Sequence, residues 1–187
     1  MYRLIPLRAL RKTPRVCFHE VVPSDIPQIH GLDRVLHESY AVSPGPADTA
    51  QGSVQRPWYM HTAQDDNLLV LQGERFVDIY CPKRRSLASF IVTPDKIYKN
   101  NKLYHNSPAM LVWPAGIFHR IVTGKHGSIS VNLASRRADY DADDNFNIYD
   151  LNVDSGEYVL LRDGKDDQPD LSYINSDATL RDILASG

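Results

Sequence analysis

The sequence has few of the features that mark several large classes of protein. Only two of its 187 residues are cysteines, Cys17 and Cys81, and they are too far apart to form a metal-binding motif. Two cysteines cannot build a disulfide framework, so we expect reduced, buried thiols. No apolar run approaches the roughly 20 residues that span a bilayer, and the N-terminus lacks the apolar core of a signal peptide. We therefore expect no membrane partner and, by default, a cytoplasmic location.

Charge of one sign is also scarce. The formal net charge is -2, and the basic runs Arg8–Lys12 and Lys83–Arg85 are short and not interleaved with aromatic residues. This pattern predicts solvated turns or edges and no nucleic-acid partner. Hydrophobic residues make up 42% and charged residues 24%, which is the usual balance of a globular protein. The length is that of one ordinary domain, and we expect residues 1–187 to form one.

Short apolar runs closed by turn residues dominate the middle of the chain. They predict the strands of an antiparallel sandwich or barrel between about residues 55 and 134, with turns at Gly73 and at Gly124. The predicted strands are 67–72, 75–81, 87–92, 110–113, 118–123 and 128–134. The fold class predicted from this region is all-β.

Prolines break up the first 54 residues, which we expect to form an irregular N-terminal arm. Within it, 15–22 is a candidate strand, and 32–37 is a candidate short helix because Leu32, Val35 and Leu36 share a helical face. The C-terminal extension, 135–187, begins with an acidic stretch over 139–150, interpreted as a solvated loop anchored by its aromatic residues. Then follow a strand over 158–161 and a short amphipathic helix over 177–185.

Two separated segments each carry a histidine beside an apolar strand and close to a turn. The first contains Tyr59, His61 and Asp66, and the second contains Trp113 and His119. Two such segments in one barrel can converge on a metal ion or form an acid-base pair. Tyr59 lies two residues before His61 and therefore on the same face of a strand. Strand alternation puts Asp65 and Asp66 on opposite faces, so only one of them can face a pocket. Asp66 has the spacing of the motif described next.

The two segments resemble the paired signatures of the cupin superfamily. In the first signature, His61, Asp66 and Gly73 have the expected spacing, with Tyr59 in place of the usual first histidine and aspartate in place of glutamate. In the second, Pro114-Ala115-Gly116 and His119 match a Pro-x-Gly turn followed by a histidine. The resemblance covers about residues 55 to 134. It implies a cupin-type double-stranded β-helix, or jelly roll, with a homodimer as the expected assembly.

Within the superfamily, residues 76–86 and 114–119 resemble the deoxysugar 3,5-epimerases that act on dTDP-4-keto sugars. In that group a histidine near the position of His61 is a metal-free base that removes a proton next to a ketone. Residues 130–150 faintly resemble sugar-nucleotide ketoisomerases. These resemblances imply a small-molecule, carbohydrate-like ligand and an isomerase or epimerase, with His61, His119 and Tyr59 as the catalytic candidates.

Two other functions stay open. His61, Asp66 and His119 form the two-histidine, one-carboxylate set that suits a divalent metal ion such as iron, manganese, zinc or nickel. The protein could then be a metal-dependent cupin enzyme of another class, a dioxygenase or a lyase, whereas an epimerase-like enzyme needs no cofactor. A non-catalytic cupin that binds a small ligand is the third alternative.

Aromatic and basic residues near the two motifs are candidates for substrate binding. The aromatic ones could stack on a sugar ring or fill the core, and the arginines could grip phosphate. These candidates are Trp58, Trp113, Phe118, Arg56 and Arg120. The remaining histidines are interpreted as surface or loop residues, with His105 as the most plausible exception: His19, His30, His37, His105 and His126.

Overall fold

The computed structural model describes residues 1–26, 28–50 and 52–167, and β-strands dominate it. The strands are β1 (Arg3–Pro6), β2 (Arg8–Thr13), β3 (Val16–Glu20), β4 (Gly31–His37), β5 (Val42–Ser43), β6 (Ala47–Thr49), β7 (Gly52–Val54), β8 (Trp58–Met60), β9 (Gln64–Cys81), β10 (Ser86–Val92), β11 (Ile97–Lys99), β12 (Lys102–His105), β13 (Ala109–Trp113), β14 (Phe118–Arg136), β15 (Ile148–Leu151) and β16 (Tyr158–Arg162). Short 3-10 helices cover Pro23–Asp25, Pro82–Arg84 and Gly164–Asp167. No helix among these residues is long and apolar enough to cross a bilayer.

Most strands join one strongly bent antiparallel sheet. Its main path runs β12-β11-β10-β9-β14-β8-β15-β16. Strand β13 pairs with β9 on one side and β1 on the other, and β4 and β5 pair with β14. Two hairpins, β2–β3 and β6–β7, lie outside this sheet. The predicted all-β jelly roll is confirmed.

The two longest strands, β9 and β14, run through the glycines that predicted turns. Gly73 has a φ of +75° and sits so close to the next segment that an added Cβ would lie 2.0 Å from the carbonyl oxygen of Gly127. A side chain is therefore excluded there, and glycine lets the strand bend without ending. The prediction of separate strands on either side of Gly73 was wrong for this reason. The prediction of separate strands on either side of Gly124 was also wrong, because β14 continues through that residue.

A β-bulge lies just before this bend. Ser130 of β14 pairs with Val70 and Ile129 pairs with Gln72, so Leu71 has no opposite residue on β14. An unpaired extra residue shifts the alternation of side chains by one. The buried residues of β9 that face the barrel interior are accordingly even-numbered before the bulge and odd-numbered after it: Asp66, Leu68 and Val70, then Arg75, Val77 and Ile79.

The N-terminal segment is more regular than the sequence predicted. The candidate helix over 32–37 is instead strand β4, which pairs along its whole length with β14. Its interior-facing side chains are Asp33, Val35 and His37, while Leu32 and Leu36 are exposed. The apolar residues fit a helical face, but pairing with a long strand overrode that local preference. The predicted strand over 15–22 is confirmed as β3.

The main core fills the interior between β9, β10, β11 and β13. Val77, Ile79, Phe90, Ile97 and Leu111 are among its fully buried side chains. Both cysteines are free thiols; Cys81 is buried here as predicted, but Cys17 is exposed because it lies on the separate β2–β3 hairpin. The predicted strand over 158–161 is confirmed as β16. The predicted helix over 177–185 lies outside the described residues.

Candidate active site

The turn between β13 and β14 brings the two histidine motifs together. Gly116 in this turn donates its N–H to the carbonyl oxygen of His61 at 2.8 Å. His119, the second residue of β14, pairs with Tyr59 of β8. Asp66, near the start of β9, pairs with Trp113 of β13. The hydrogen-bonded ladder therefore places His61, Asp66 and His119 side by side although they lie far apart in sequence.

These three side chains form a compact buried cluster. The Nε2 atom of His61 lies 3.1 Å from Oδ2 of Asp66, and the Nε2 atom of His119 lies 3.9 Å from the same oxygen. The two imidazole ring centroids are 4.8 Å apart. None of the three residues is more than 5% exposed. Interactions among them are therefore weakly screened by water.

Hydrogen bonds fix the orientation of each member. Nδ1 of His61 donates to the carbonyl oxygen of Asn145, and Nδ1 of His119 lies 3.4 Å from the carbonyl oxygen of Ile117. A carbonyl oxygen only accepts, so each Nδ1 carries the proton. Oδ1 of Asp66 accepts hydrogen bonds from Gln64 at 2.9 Å and from Asn132 at 2.8 Å. Its Oδ2 is thereby directed at the two histidines.

The geometry favours the protonated form of His61. Both of its ring nitrogens face acceptors, a carbonyl oxygen at Nδ1 and the Asp66 carboxylate at Nε2. Burial disfavours the charged ring, but the charge and hydrogen bond of Asp66 outweigh it and raise the pKa of His61 above its ordinary value. Burial likewise opposes ionisation of Asp66, yet His61 holds the pKa of that carboxyl well below its usual range. His61 and Asp66 therefore form a buried ion pair.

His119 is in the opposite state. Burial, followed by repulsion from the charged His61, lowers the pKa of His119 to about 4. Its ring is therefore neutral at pH 7 with the proton on Nδ1, so Nε2 carries a lone pair. Two adjacent histidines, one charged and one neutral, can act as proton donor and proton acceptor.

A cavity of about 180 Å³ opens onto the cluster. Tyr59, Trp113 and Phe146 line it beside the histidines; the ring of Tyr59 lies 5.9 Å from that of His119, and the ring of Phe146 lies 5.6 Å from that of His61. Aromatic walls around a few polar groups are typical of small-molecule sites. Such walls suit the apolar face of a sugar ring.

No family model and no curated protein matches the chain. Solved structures do. The WlaRB TDP-quinovose 3,4-ketoisomerase from Campylobacter jejuni matches with a TM-score of 0.53 and 14% identity, over 78% of this chain and 91% of its own. A dTDP sugar isomerase from Desulfovibrio desulfuricans matches with a TM-score of 0.50 and 15% identity, over 73% of this chain and 80% of its own. These similarities show the fold, which is a cupin-type jelly roll.

The barrel separates the aromatic residues predicted for the site, the catalytic candidate Tyr59 and the substrate-binding candidates Trp58, Trp113 and Phe118, into two groups. Tyr59 and Trp113 line the cavity. Trp58 directly precedes Tyr59, and Phe118 directly precedes His119. Side chains alternate along a strand, so Trp58 and Phe118 point to the other side of the sheet. There they pack in a separate aromatic cluster with Tyr80, Tyr149 and Leu151.

The two predicted anion-binding arginines lie outside the cavity as well. The guanidinium of Arg120 stacks over Trp58, 4.1 Å from the ring centroid, and its Nε donates to Oδ2 of Asp78 at 2.9 Å. Arg56 approaches the same oxygen at 3.9 Å. Their charges are therefore balanced by a carboxylate on the outer side of the sheet. Asp65 is also outside, where it accepts a hydrogen bond from the Ala115 N–H at 2.8 Å.

Other cavity residues escaped the sequence-based prediction. His37 and Arg75 line the cavity, although His37 was interpreted as a surface histidine. His105 was the histidine outside the two motifs that we expected near the site. It lies at the end of β12, and its Nε2 is 2.7 Å from Oγ of Ser107. The alternation of Asp33, Val35 and His37 along β4 is the signal that could have found His37. The bulge at Leu71 explains why alternation alone did not find Arg75.

The cluster also fits a divalent metal ion. Among the described residues, His61, Asp66 and His119 are the group that offers three ligand atoms within 4.8 Å of one another. Each histidine is held through Nδ1 by a backbone carbonyl and turns Nε2 toward Asp66, as metal-binding histidines do. Nitrogen and carboxylate ligands in this number suit iron, manganese, zinc or nickel with open positions.

Proposed function

We propose that this cupin is an isomerase or epimerase that moves a proton next to the carbonyl group of a carbohydrate-like substrate. The observation that carries the proposal is the geometry of the buried histidine pair: His61 has acceptors at both ring nitrogens, and the neighbouring His119 has its Nδ1 at a carbonyl oxygen, which leaves Nε2 with a lone pair beside the same cavity. Such a reaction needs a base to remove the C–H proton and an acid to protonate the carbonyl oxygen. One cavity supplies both groups at neighbouring positions.

In this proposal His119 is the base and His61 is the acid. Nε2 of His119 removes the proton from the carbon beside the carbonyl, and Nε2 of His61 gives its proton to the carbonyl oxygen, which produces an enediol. Loss of the proton from His61 also removes the charge that lowers the pKa of His119. The two transfers therefore assist each other. Protonation of the same carbon on its opposite face gives epimerisation. Protonation of the former carbonyl carbon, with loss of the proton from the neighbouring enediol hydroxyl, moves the carbonyl and gives isomerisation.

The role of base thus passes from His61, the residue favoured by sequence, to His119. A base needs a lone pair, and both ring nitrogens of His61 already face acceptors. The phenol of Tyr59, whose ring lies 5.9 Å from that of His119, is a second proton donor in this proposal. The names of the similar structures, two isomerases of TDP-linked sugars, agree with a carbohydrate-like ligand.

Deuterium exchange tests the proposal directly. The protein is incubated in D₂O with TDP-4-keto-6-deoxyglucose, D-fructose and D-fructuronate, and NMR follows the proton next to each carbonyl. We expect deuterium to enter at least one of these keto sugars faster than in buffer alone. Exchange at the background rate for all three would overturn the assignment of proton transfer.

A metal-dependent cupin enzyme is the second candidate function, and the orientation of both Nε2 atoms toward Asp66 favours it. A bound metal ion would polarise a substrate carbonyl or carboxylate and would be held by His61, Asp66 and His119. We expect Zn²⁺, Mn²⁺ or Fe²⁺ to raise the melting temperature of untagged protein by several degrees. His119→Asn should remove this increase, whereas His105→Asn should retain it. Equal melting curves with and without each metal would count against this candidate.

We also propose that the protein forms a homodimer. Strand β4 pairs only with β14 among the described strands, and Leu32 and Leu36 on its outer side are 68% and 57% exposed. Exposed apolar side chains on an edge strand are typical of a surface that a second copy covers. Light scattering should give the mass of a dimer for the wild type and of a monomer for Leu32→Lys/Leu36→Lys. A monomeric wild type would refute the proposal.

A further inference from the structure

Arg75 is a buried cation that has no carboxylate partner among the described residues. It is 2% exposed and lies on the interior side of β9, where it lines the cavity. Its Nε donates to Oγ of Ser128 at 2.8 Å, and its Nη2 donates to the carbonyl oxygen of Val35 at 3.3 Å. No carboxylate in the described part of the chain forms a salt bridge with it. Arg56 and Arg120, in contrast, share Asp78.

Burial lowers the pKa of Arg75 to about 10, so its guanidinium is still charged at neutral pH. Nη1 has no acceptor among the described residues, and an arginine has five N–H donors, of which only two are used by the protein here. A buried charge is unfavourable unless it is paired. The remaining donors of Arg75 are thus suited to an anionic group from outside the chain.

His37 supplies a second polar atom at the same place. It lines the cavity beside Arg75, and its Nδ1 is buried without a hydrogen-bond partner in the described structure. It pairs across the sheet with Ser128, the residue that holds Arg75. Burial and the charge of Arg75 lower the pKa of His37 to about 4, so its ring is neutral at pH 7 and can donate one hydrogen bond.

The register gives the distance between this pair and the histidine cluster. Arg75 reaches the carbonyl of Val35, and Val35 is two residues from Asp33, which pairs with Asn132. Asn132 in turn donates to Asp66. Two residues of a strand span about 7 Å, which is on the order of the length of a sugar ring. A ligand of that size could reach both ends.

We propose that Arg75 and His37 form an oxyanion subsite and that the substrate is an acidic sugar derivative, whose carboxylate or phosphoryl group binds there while its carbonyl lies at His61 and His119. This inference rests on the proposed function for the position of the reacting carbons. The cavity of about 180 Å³ is smaller than the roughly 300–1,000 Å³ of sites for drug-sized ligands. The enclosed part of the site therefore matches a group of about the size of one sugar.

The test measures binding and requires no turnover. Calorimetry at pH 8 and constant NaCl compares D-glucuronate and D-glucose 6-phosphate with neutral D-glucose, and acetate and inorganic phosphate with acetamide. We expect at least one anionic sugar to bind ten times more tightly than glucose, and its simple anion to bind where acetamide does not. A preference for glucuronate identifies a carboxylate, and a preference for glucose 6-phosphate identifies a phosphoryl group.

Three variants separate a binding role from a structural one. Arg75→Gln should remove the preference for the anionic sugar, and Arg75→Lys should retain part of it because the positive charge remains. Arg120→Gln removes an equal charge on the outer side of the sheet and should leave binding unchanged. Equal affinity for charged and neutral probes, unchanged binding by Arg75→Gln, or an equal loss in Arg120→Gln would overturn the subsite.

The outcome is independent of the deuterium-exchange test. A protein that binds the anion through Arg75 but exchanges no proton would retain the subsite and lose the proposed reaction. A protein that exchanges protons in neutral and acidic keto sugars alike would retain the reaction and lose the subsite.

Discussion

Replacing His119 with asparagine is expected to slow proton exchange at the substrate carbon by about 10²–10⁴-fold, the usual contribution of a general base. Asparagine keeps a polar side chain in the buried position but has no lone pair on a basic nitrogen. NMR measurement of deuterium entry into whichever keto sugar the wild type exchanges gives the rate. Circular dichroism and the melting temperature establish that the variant is folded.

A matched control is available in the same barrel. His105 lies on β12 and contacts Ser107 instead of the cavity, so His105→Asn removes an imidazole with no effect on the proposed proton transfer. The His105 variant should retain the wild-type exchange rate within about twofold. Loss of exchange in both variants, or in neither, would contradict the assignment of His119 as the base.

Replacing Asp66 with asparagine should destabilise the protein by about 3–5 kcal/mol near pH 6, because it leaves His61 buried without its counterion. The sign of the pH dependence follows from the two pKa shifts. The stabilisation from Asp66 is present above its unfolded pKa of 3.8 and is lost as the pH falls through its lowered value. The stabilisation from His61 is complete below 6.5 and is lost as the pH rises through its raised value. The ion pair therefore stabilises most between about pH 4 and 6.5.

The variant should reverse the behaviour of His61. Without the Asp66 carboxylate, burial, the largest influence on the pKa of His61, is opposed only by the hydrogen bond to Asn145 and the charge of Asp33. We expect burial to dominate and to lower this pKa below 6.5, so the variant loses further stability as the pH drops. Urea denaturation at pH 6 and pH 8 should show the larger difference from the wild type at pH 6. Asp65→Asn is the control, since Asp65 is partly exposed and its oxygen acceptor for Ala115 is retained. Equal loss of stability in the two variants would argue against a special role for the Asp66 pair.

The spacing of two short motifs was sufficient to predict the cluster of His61, Asp66 and His119. Each residue stands at a fixed distance from a turn or a glycine, and the barrel converts that spacing into proximity. Strand alternation allowed only one of Asp65 and Asp66 to face the pocket, and the spacing of the cupin-like motif favoured Asp66. The structure places Asp66 beside both histidines. Motif spacing and strand alternation involve residues close together in the chain, so both can be recognised from the sequence.

Long-range pairing could not be read in the same way. Leu32, Val35 and Leu36 fit a helical face, and only the partner strand β14 makes this segment a strand. Leu32 was expected on a buried face but is exposed, because the side of β4 that faces the cavity carries Asp33, Val35 and His37. Protonation states were equally out of reach, since they depend on which acceptors surround His61 and His119. Sequence therefore predicted the members of the cluster but not the division of roles between them.

The bulge at Leu71 has a consequence for how the cavity is assembled. Asp66 and Arg75 are nine residues apart on one strand, an odd separation that an undisturbed strand would turn to opposite sides. The unpaired Leu71 restores the phase, so a single continuous strand delivers both the carboxylate of the cluster and the buried guanidinium. One extra residue thus lets Asp66 and Arg75 line the same cavity. Deletion of Leu71 would turn the inward-facing side chains on one side of the bulge outward and the outward-facing ones inward.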